Sequence, residues 1–224
     1  MERFAEHYLN VEVLATYGPT ILGGLWVTLA TAAATVVLGI GFGLLLAIAL
    51  VARIPGLRWP IAAWIETFRT LPQLAVIIFL YFGLPYAGVQ LSPFWATVGA
   101  LGAVLSAFAA EIFRSAIQAL PRGQWDAAAA LGLRFHVTFF RVILPQAIRL
   151  AIPLLTNRAI AITKGTALGT AVSLPEILGR AQSAMAIAAN PSPLTLAAAL
   201  YLVLFLPLVI ATRWLEAAHT APHR

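Results

Sequence analysis

"ILGGLWVTLATAAATVVLGIGFGLLLAIALV", residues 21–51, contains no charged side chain. A bilayer core asks for about 20 apolar residues in a helix, so this stretch is long enough to span with tilt or to project past the headgroups. Its alanines and glycines leave room for close helix approach. The rest of the chain agrees in kind. Hydrophobic residues make up 61% of the 224 and charged ones 10%, with a mean hydropathy of +0.91, whereas soluble domains carry about 25% charge. The expected fold class is an all-α integral membrane protein. With 0 cysteines, a disulfide scaffold and a Cys-ligated metal site are both excluded. The net charge of +6 is carried by 14 basic residues. Only Lys164 among them is a lysine, and the arginines lie scattered between apolar runs. Placement at membrane edges explains that distribution better than a nucleic-acid patch does.

Four more apolar stretches follow at 61–85, 94–113, 143–172 and 194–212, so about five transmembrane helices are expected in a single transmembrane domain, 1–224. The first lacks the positive flank and short core of a cleaved signal peptide, and is expected to be retained. Arg53 and Arg58 lie in the first loop, the second loop "YAGVQLSP" is uncharged, and Arg114, Arg122, Arg134 and Arg141 fall in the third. The positive-inside rule then places the first and third loops in the cytoplasm, with the N-terminus outside and the C-terminus inside, near Arg213 and Arg224.

The third loop, 114–142, is the largest cytoplasmic feature, and its centre reads "QWDAAAALGLRFHVTFFRVILPQAIR" over 124–149. Asp126 before four alanines predicts a helix start, since an acid meets the helix dipole and alanine has the best propensity. Gly132 interrupts that helix. Phe135, Phe139 and Val142 then form one side of an amphipathic stretch, and Pro145 marks the hand-over to the next span. Two readings stay open on these residues alone: an interfacial helix on anionic headgroups, or a knob that docks into a cytoplasmic partner.

Asp126-Ala127-Ala128, Gly132, Val142 and Leu144-Pro145 together resemble the EAA loop of membrane permease subunits of bacterial ATP-binding cassette importers. "GGLWVTL" at 23–29, "IETFRTLPQLAVIIFLYFGLP" at 65–85, "FAAEIFRSAIQALPRGQWDAA" at 108–128 and "LPQAIRLAIPLLTN" at 144–157 are similar, in order, to the polar amino acid branch of that family. The resemblance implies a type I importer permease fold. It also implies that Asp126, Ala127, Ala128, Gly132, Leu144 and Pro145 couple to a separate P-loop ATPase dimer, which binds ATP and Mg. Further implied partners are a second permease subunit, paralogous or identical, and an extracytoplasmic amino acid-binding protein. Membrane lipid surrounds the chain, the place is the bacterial inner membrane, and no nucleic acid is involved. Phe108 stands where the family has tyrosine, and Lys164-Gly165-Thr166-Ala167-Leu168 stands where it has Lys-Asp-Thr-Ser-Leu. Gly165 thus lacks a carboxylate that faces the amino acid in some relatives.

Substrate-path candidates come from the residues and from the resemblance together: Lys164, Thr163, Thr166, Asn157, Phe108, Glu111 and Thr70. Arg149, Thr156 and Thr163 repeat every seven residues, and Asn157 and Lys164 widen that stripe into a polar face of the fourth span. A charge facing lipid at mid-bilayer costs about 3 kcal/mol even on the lenient insertion scale, so Lys164 is expected to pair with a carboxylate, reach the outer surface, touch substrate or serve a gate. Glu66 with Arg69 and Glu111 with Arg114 are expected to form i,i+3 ion pairs or gate contacts. No Gly-Lys-Ser/Thr, His-Glu-x-x-His or Gly-x-Ser-x-Gly occurs. The chain is therefore expected to have no ATPase or other enzymatic site and no cofactor of its own. The alternative transport class is a self-contained ion-coupled secondary transporter, which usually shows inverted repeats; none is visible here.

Overall fold

The computed structural model describes residues 6–52 and 54–220, with side chains as far as Thr212. Arg53 and Arg224, both counted above toward orientation, lie outside the described residues, as does the side chain of Arg213. Among the described residues there are helices and turns and no strands. Four helices are long and apolar enough to cross a membrane, or five if one bent pair counts as a span.

α1 runs Val11–Val51, beginning well before residue 21 because Asn10 caps it: the Asn10 side chain accepts from the Val13 amide at 3.1 Å. Its buried face is a stripe of small residues that includes Gly24, Thr28, Thr31, Thr35, Gly39, Gly43 and Ala47. That spacing lays α1 along α4 (Pro93–Ala119), which is capped by Ser92 and carries Pro93 in its first turn. At Gly43 a Cβ would stand 2.6 Å from the Ala109 Cβ and 2.7 Å from the Ser106 carbonyl oxygen, so the two backbones touch where only hydrogen fits. α4 is the central post. In its most apolar window 72% is buried, against 28%, 33% and 11% for the other three long helices.

The second apolar stretch is not one straight span. It is divided into α2 (Arg58–Thr70) and α3 (Gln73–Ile78), and the segments 58–70 and 73–87 meet at 112°. Leu71-Pro72 is the cause. Proline has no N–H and pushes the residue before it out of the helical region; Leu71 at ψ 137° and Pro72 at ψ 132° are both extended. α3 continues through a wide turn, Phe79–Gly83, and a tight one, Leu84–Ala87. Trp64 ties α2 to the post by donating from Nε1 to Ser106 Oγ at 3.0 Å.

The third loop also differs from its sequence reading. Its helix, α5 (Arg122–Ala130), starts ahead of Asp126, which sits in mid-helix with no acid in the first turn. Pro121, at φ −55° and ψ 137°, is extended and sets the start at Arg122, overriding the dipole preference of the acid. Gly132 at φ +73° ends the element, with its amide donating to Ala129 O and that of Leu133 to Ala128 O. Pro145 stands where the sequence puts it, in the first turn of the next long helix. α6 (Phe135–Thr138), a wide turn at Phe139–Ile143 and α7 (Leu144–Thr163) follow one another into a tight 3₁₀ stretch, Lys164–Val172, forming a continuous 38-residue rod. Pro145 is accommodated because the first turn of a helix has no use for its missing N–H.

Two helices complete the chain, α8 (Ile177–Ala188) and α9 (Ser192–Thr220). Glu176, fully buried, caps α8. Its Oε1 accepts from the Gly179 amide at 2.7 Å and the Thr170 hydroxyl at 3.0 Å, and its Oε2 accepts from the Tyr201 hydroxyl. One carboxylate thereby joins the 3₁₀ stretch, α8 and α9.

Candidate functional site

Two regions concentrate polar chemistry, at opposite stretches of the α6–α7 rod. The first is the knob made by α5 and the turn at Gly132. Trp125 on α5 stacks on Phe135 with ring centroids 5.9 Å apart, and Phe135 on Phe139 at 6.1 Å. Phe139 is buried against α4 and α7, so the aromatic column anchors the knob to the core. Of the residues read as coupling, Ala128 and Leu144 face inward and are buried, while Asp126, Ala127, Gly132 and Pro145 are exposed. Leu131, beside Gly132, is 79% exposed, an apolar side chain left uncovered at the tip. Behind α5 a wide cleft of about 1180 Å³ is lined by Arg58, Arg114, Arg122 and Asp126. Arg58, Arg114 and Arg122, from two loops far apart in the sequence, thus converge behind α5.

The second region is a cleft of about 460 Å³ where the bend at Leu71-Pro72 opens beside α4 and α7. Gln73, Phe108, Arg69 and Arg158 line it. The Arg158 guanidinium lies over the Phe108 ring, with Cζ 3.2 Å from the centroid, and Arg69 approaches the same ring at 5.6 Å. Arg158 Nε is buried and has no hydrogen-bond partner among the described residues. No carboxylate lines this cleft among the described residues.

The sequence candidates for a substrate path do not all meet here. Phe108 lines the cleft, and Thr70 flanks it at the end of α2, its hydroxyl donating to Glu66 O and Thr67 O. Thr163 is buried with its hydroxyl returned to Ile160 O, and Thr166 is buried with its hydroxyl unpartnered. Asn157 is exposed. Lys164, also exposed, lines a separate groove with Tyr201, Phe205 and Ala198 along α9, and it forms no ion pair among the described residues. Glu111 pairs with Arg114 at 2.9 Å, as the spacing predicts. Glu66 and Arg69 do not pair, because Arg69 turns to the Phe108 ring instead.

Arg158 is the residue that sequence reading passed over. Its signal was available, since an ionisable side chain inside an apolar span marks a functional position by default. The seven-residue stripe through Arg149, Thr156 and Thr163 drew attention to the neighbouring face. Gly165 also takes on a meaning: a Cβ there would collide with Gln73 Oε1 and stand 3.1 Å from Leu101 Cδ2. The amide of Gln73 occupies the space a longer residue would need.

Residues 16–219 match the family of binding-protein-dependent transport system inner membrane components. The chain is 34% identical over 218 residues to the probable glutamine ABC transporter permease protein GlnP of Bacillus subtilis, covering 94% of this chain and 100% of the relative. Over 212 residues it is 32% identical to the arginine transport system permease protein ArtQ of the same organism, covering 93% and 97%. Among solved structures, an amino acid ABC transporter crystallised with histidines superposes with a TM-score of 0.83 at 30% identity, covering 92% of this chain and 96% of that one. An inward-facing methionine ABC transporter shares the fold at a TM-score of 0.73 and 22% identity, over 89% and 96%. With the match running through α1, the knob and α9, the chain belongs to the family of binding-protein-dependent transport system inner membrane components and is a membrane permease of the ABC transporter class.

Proposed function

We propose that the chain forms half of the translocation pathway of an ATP-driven bacterial importer for polar or charged amino acids, and that α5 with the Gly132 turn receives the stroke of a cytoplasmic ATPase dimer. The observation that carries this reading is mechanical. The knob and the polar cleft are built on one continuous rod, Phe135–Val172. From Phe135 to Arg158 the rod covers on the order of 35 Å at 1.5 Å per residue. A push at Ala127 or Leu131 therefore has a stiff path to the cleft wall. The arginines around the knob support a cytoplasmic position for that end in the inner membrane, with the N-terminus outside. ATP and Mg would be held by the ATPase, and an extracytoplasmic binding protein would deliver the amino acid. A second permease chain, identical or paralogous, would close the other side of the path.

In this reading the rod tilts when the ATPase halves close, and the cleft changes which side it faces. The 3₁₀ stretch Lys164–Val172 is long for its kind and adjoins the cleft through Leu168. Such stretches mark hinges, and here the tilt of the rod would be absorbed. The test is uptake in proteoliposomes holding the complex that co-purifies with this chain, with ATP enclosed. Amino acid accumulation that needs ATP and is lost in Ala127→Trp, with the protein still folded, is expected. Accumulation driven by an ion gradient without ATP, or unaffected by Ala127→Trp, overturns it.

A further inference from the structure

The cleft beside the Leu71-Pro72 bend has a charge of one sign. An α-amino acid at neutral pH carries one carboxylate and one ammonium, so a cleft indifferent to side-chain charge would offer both signs. This one offers two guanidiniums, Arg69 and Arg158, and no carboxylate among the described lining residues. Resting on the amino acid reading above, we propose that the cleft selects a dicarboxylic amino acid, and that Arg158 is the residue that binds its side-chain carboxylate and sets the preference.

Three observations support the assignment. Arg158 is held against an aromatic face, with Cζ 3.2 Å from the Phe108 centroid, and its side chain lines the cleft. Its Nε–H is buried without a partner among the described residues, so the donors it can turn to a ligand are the terminal Nη groups, a fork matched to the two oxygens of a carboxylate. Second, Arg69 approaches the same ring at 5.6 Å, so two like charges face one another across the cleft and an anion between them relieves their repulsion. Third, the position where a side chain would enter from the rod is Gly165, and the space beyond it holds the uncharged Gln73 amide. Gln73 Oε1 can accept from the ligand ammonium without supplying a negative charge that would repel the second carboxylate. The complement of this arrangement is a ligand of net negative charge.

The experiment is calorimetric titration of the full permease–ATPase complex in nanodiscs, without binding protein, using L-glutamate, L-aspartate, L-glutamine and L-arginine. L-glutamate or L-aspartate is expected to bind on the order of tenfold more tightly than L-glutamine or L-arginine. Arg158→Gln should bring L-glutamate and L-glutamine to similar affinities, and Arg158→Lys should restore part of the preference, since a point charge lacks the fork. Equal or tighter binding of L-glutamine or L-arginine by the unaltered complex overturns the proposal, as does acidic-ligand affinity unchanged in Arg158→Gln at an unchanged melting temperature. Should Arg158→Gln fail to fold, Gly165→Asp gives an independent reading. A carboxylate displacing Gln73 should weaken L-glutamate and strengthen L-arginine, and no change in either overturns the assignment. ATP-driven uptake of only neutral or cationic amino acids would sink the charge selection and leave the importer reading standing. Absence of any amino acid uptake would sink the importer reading itself.

Discussion

Gly132 and Glu176 show how much single residues contribute here, for opposite reasons. Nothing lies within 4 Å of a Cβ placed on Gly132, so its role is purely conformational: φ is +73°. Gly132→Ala should cost about 1–2 kcal/mol of local stability in the knob. It should lower ATP-dependent uptake while leaving the melting temperature of the membrane part nearly unchanged; a large fall in melting temperature would mean that the knob folds with the spans. Glu176 is instead a hub of contacts. Glu176→Ala leaves the Gly179 amide and the Thr170 and Tyr201 hydroxyls without their acceptor and should destabilise the protein by about 3 kcal/mol or more. Tyr201→Phe removes one donor only, at about 1 kcal/mol. Thermal unfolding in detergent compares them, and equal losses would show that the carboxylate is not the centre of the network.

At the scale of elements, α1 and α4 meet through absent side chains. Gly43→Ala must push a methyl against Ala109 Cβ and Ser106 O, whereas a Cβ at Gly41 meets nothing within 4 Å. The first change should therefore destabilise by about 1–3 kcal/mol, as overpacking does, and the second should be neutral or slightly stabilising. A protease-resistance or melting comparison of the two variants tests the interface directly; matching melting temperatures would contradict the close approach. The same scale explains why the bend in the second apolar stretch does not show in its hydropathy. Average hydropathy over 61–85 is insensitive to order, so the stretch reads as one span. The bend depends on a single Leu-Pro step, and the cleft beside α4 exists because of it.

At the scale of the molecule, α9 has only 11% of its apolar window buried, and large apolar side chains such as Leu202 and Val203 are exposed along it. Lipid or a second chain must cover that surface. Native mass spectrometry of the detergent-extracted complex should find two permease chains together with ATPase subunits. A single permease copy at full ATP-dependent uptake would overturn the half-pathway reading.

The fold class, the apolar stretches, the Glu111–Arg114 pair and the helix stop at Gly132 were legible in the sequence. Length of apolar run, i,i+3 spacing and glycine punctuation are local properties, written in consecutive residues. Which polar residues share a space follows from packing and not from order along the chain. Arg69, Phe108 and Arg158 come from three helices and meet because the Leu71-Pro72 bend tips α3 away, and no periodicity along one helix encodes that convergence. Packing likewise placed Lys164 in a groove along α9, apart from the cleft that holds Phe108. The direction in which a helix presents a residue is legible from its spacing, but what stands opposite is fixed only when the helices pack.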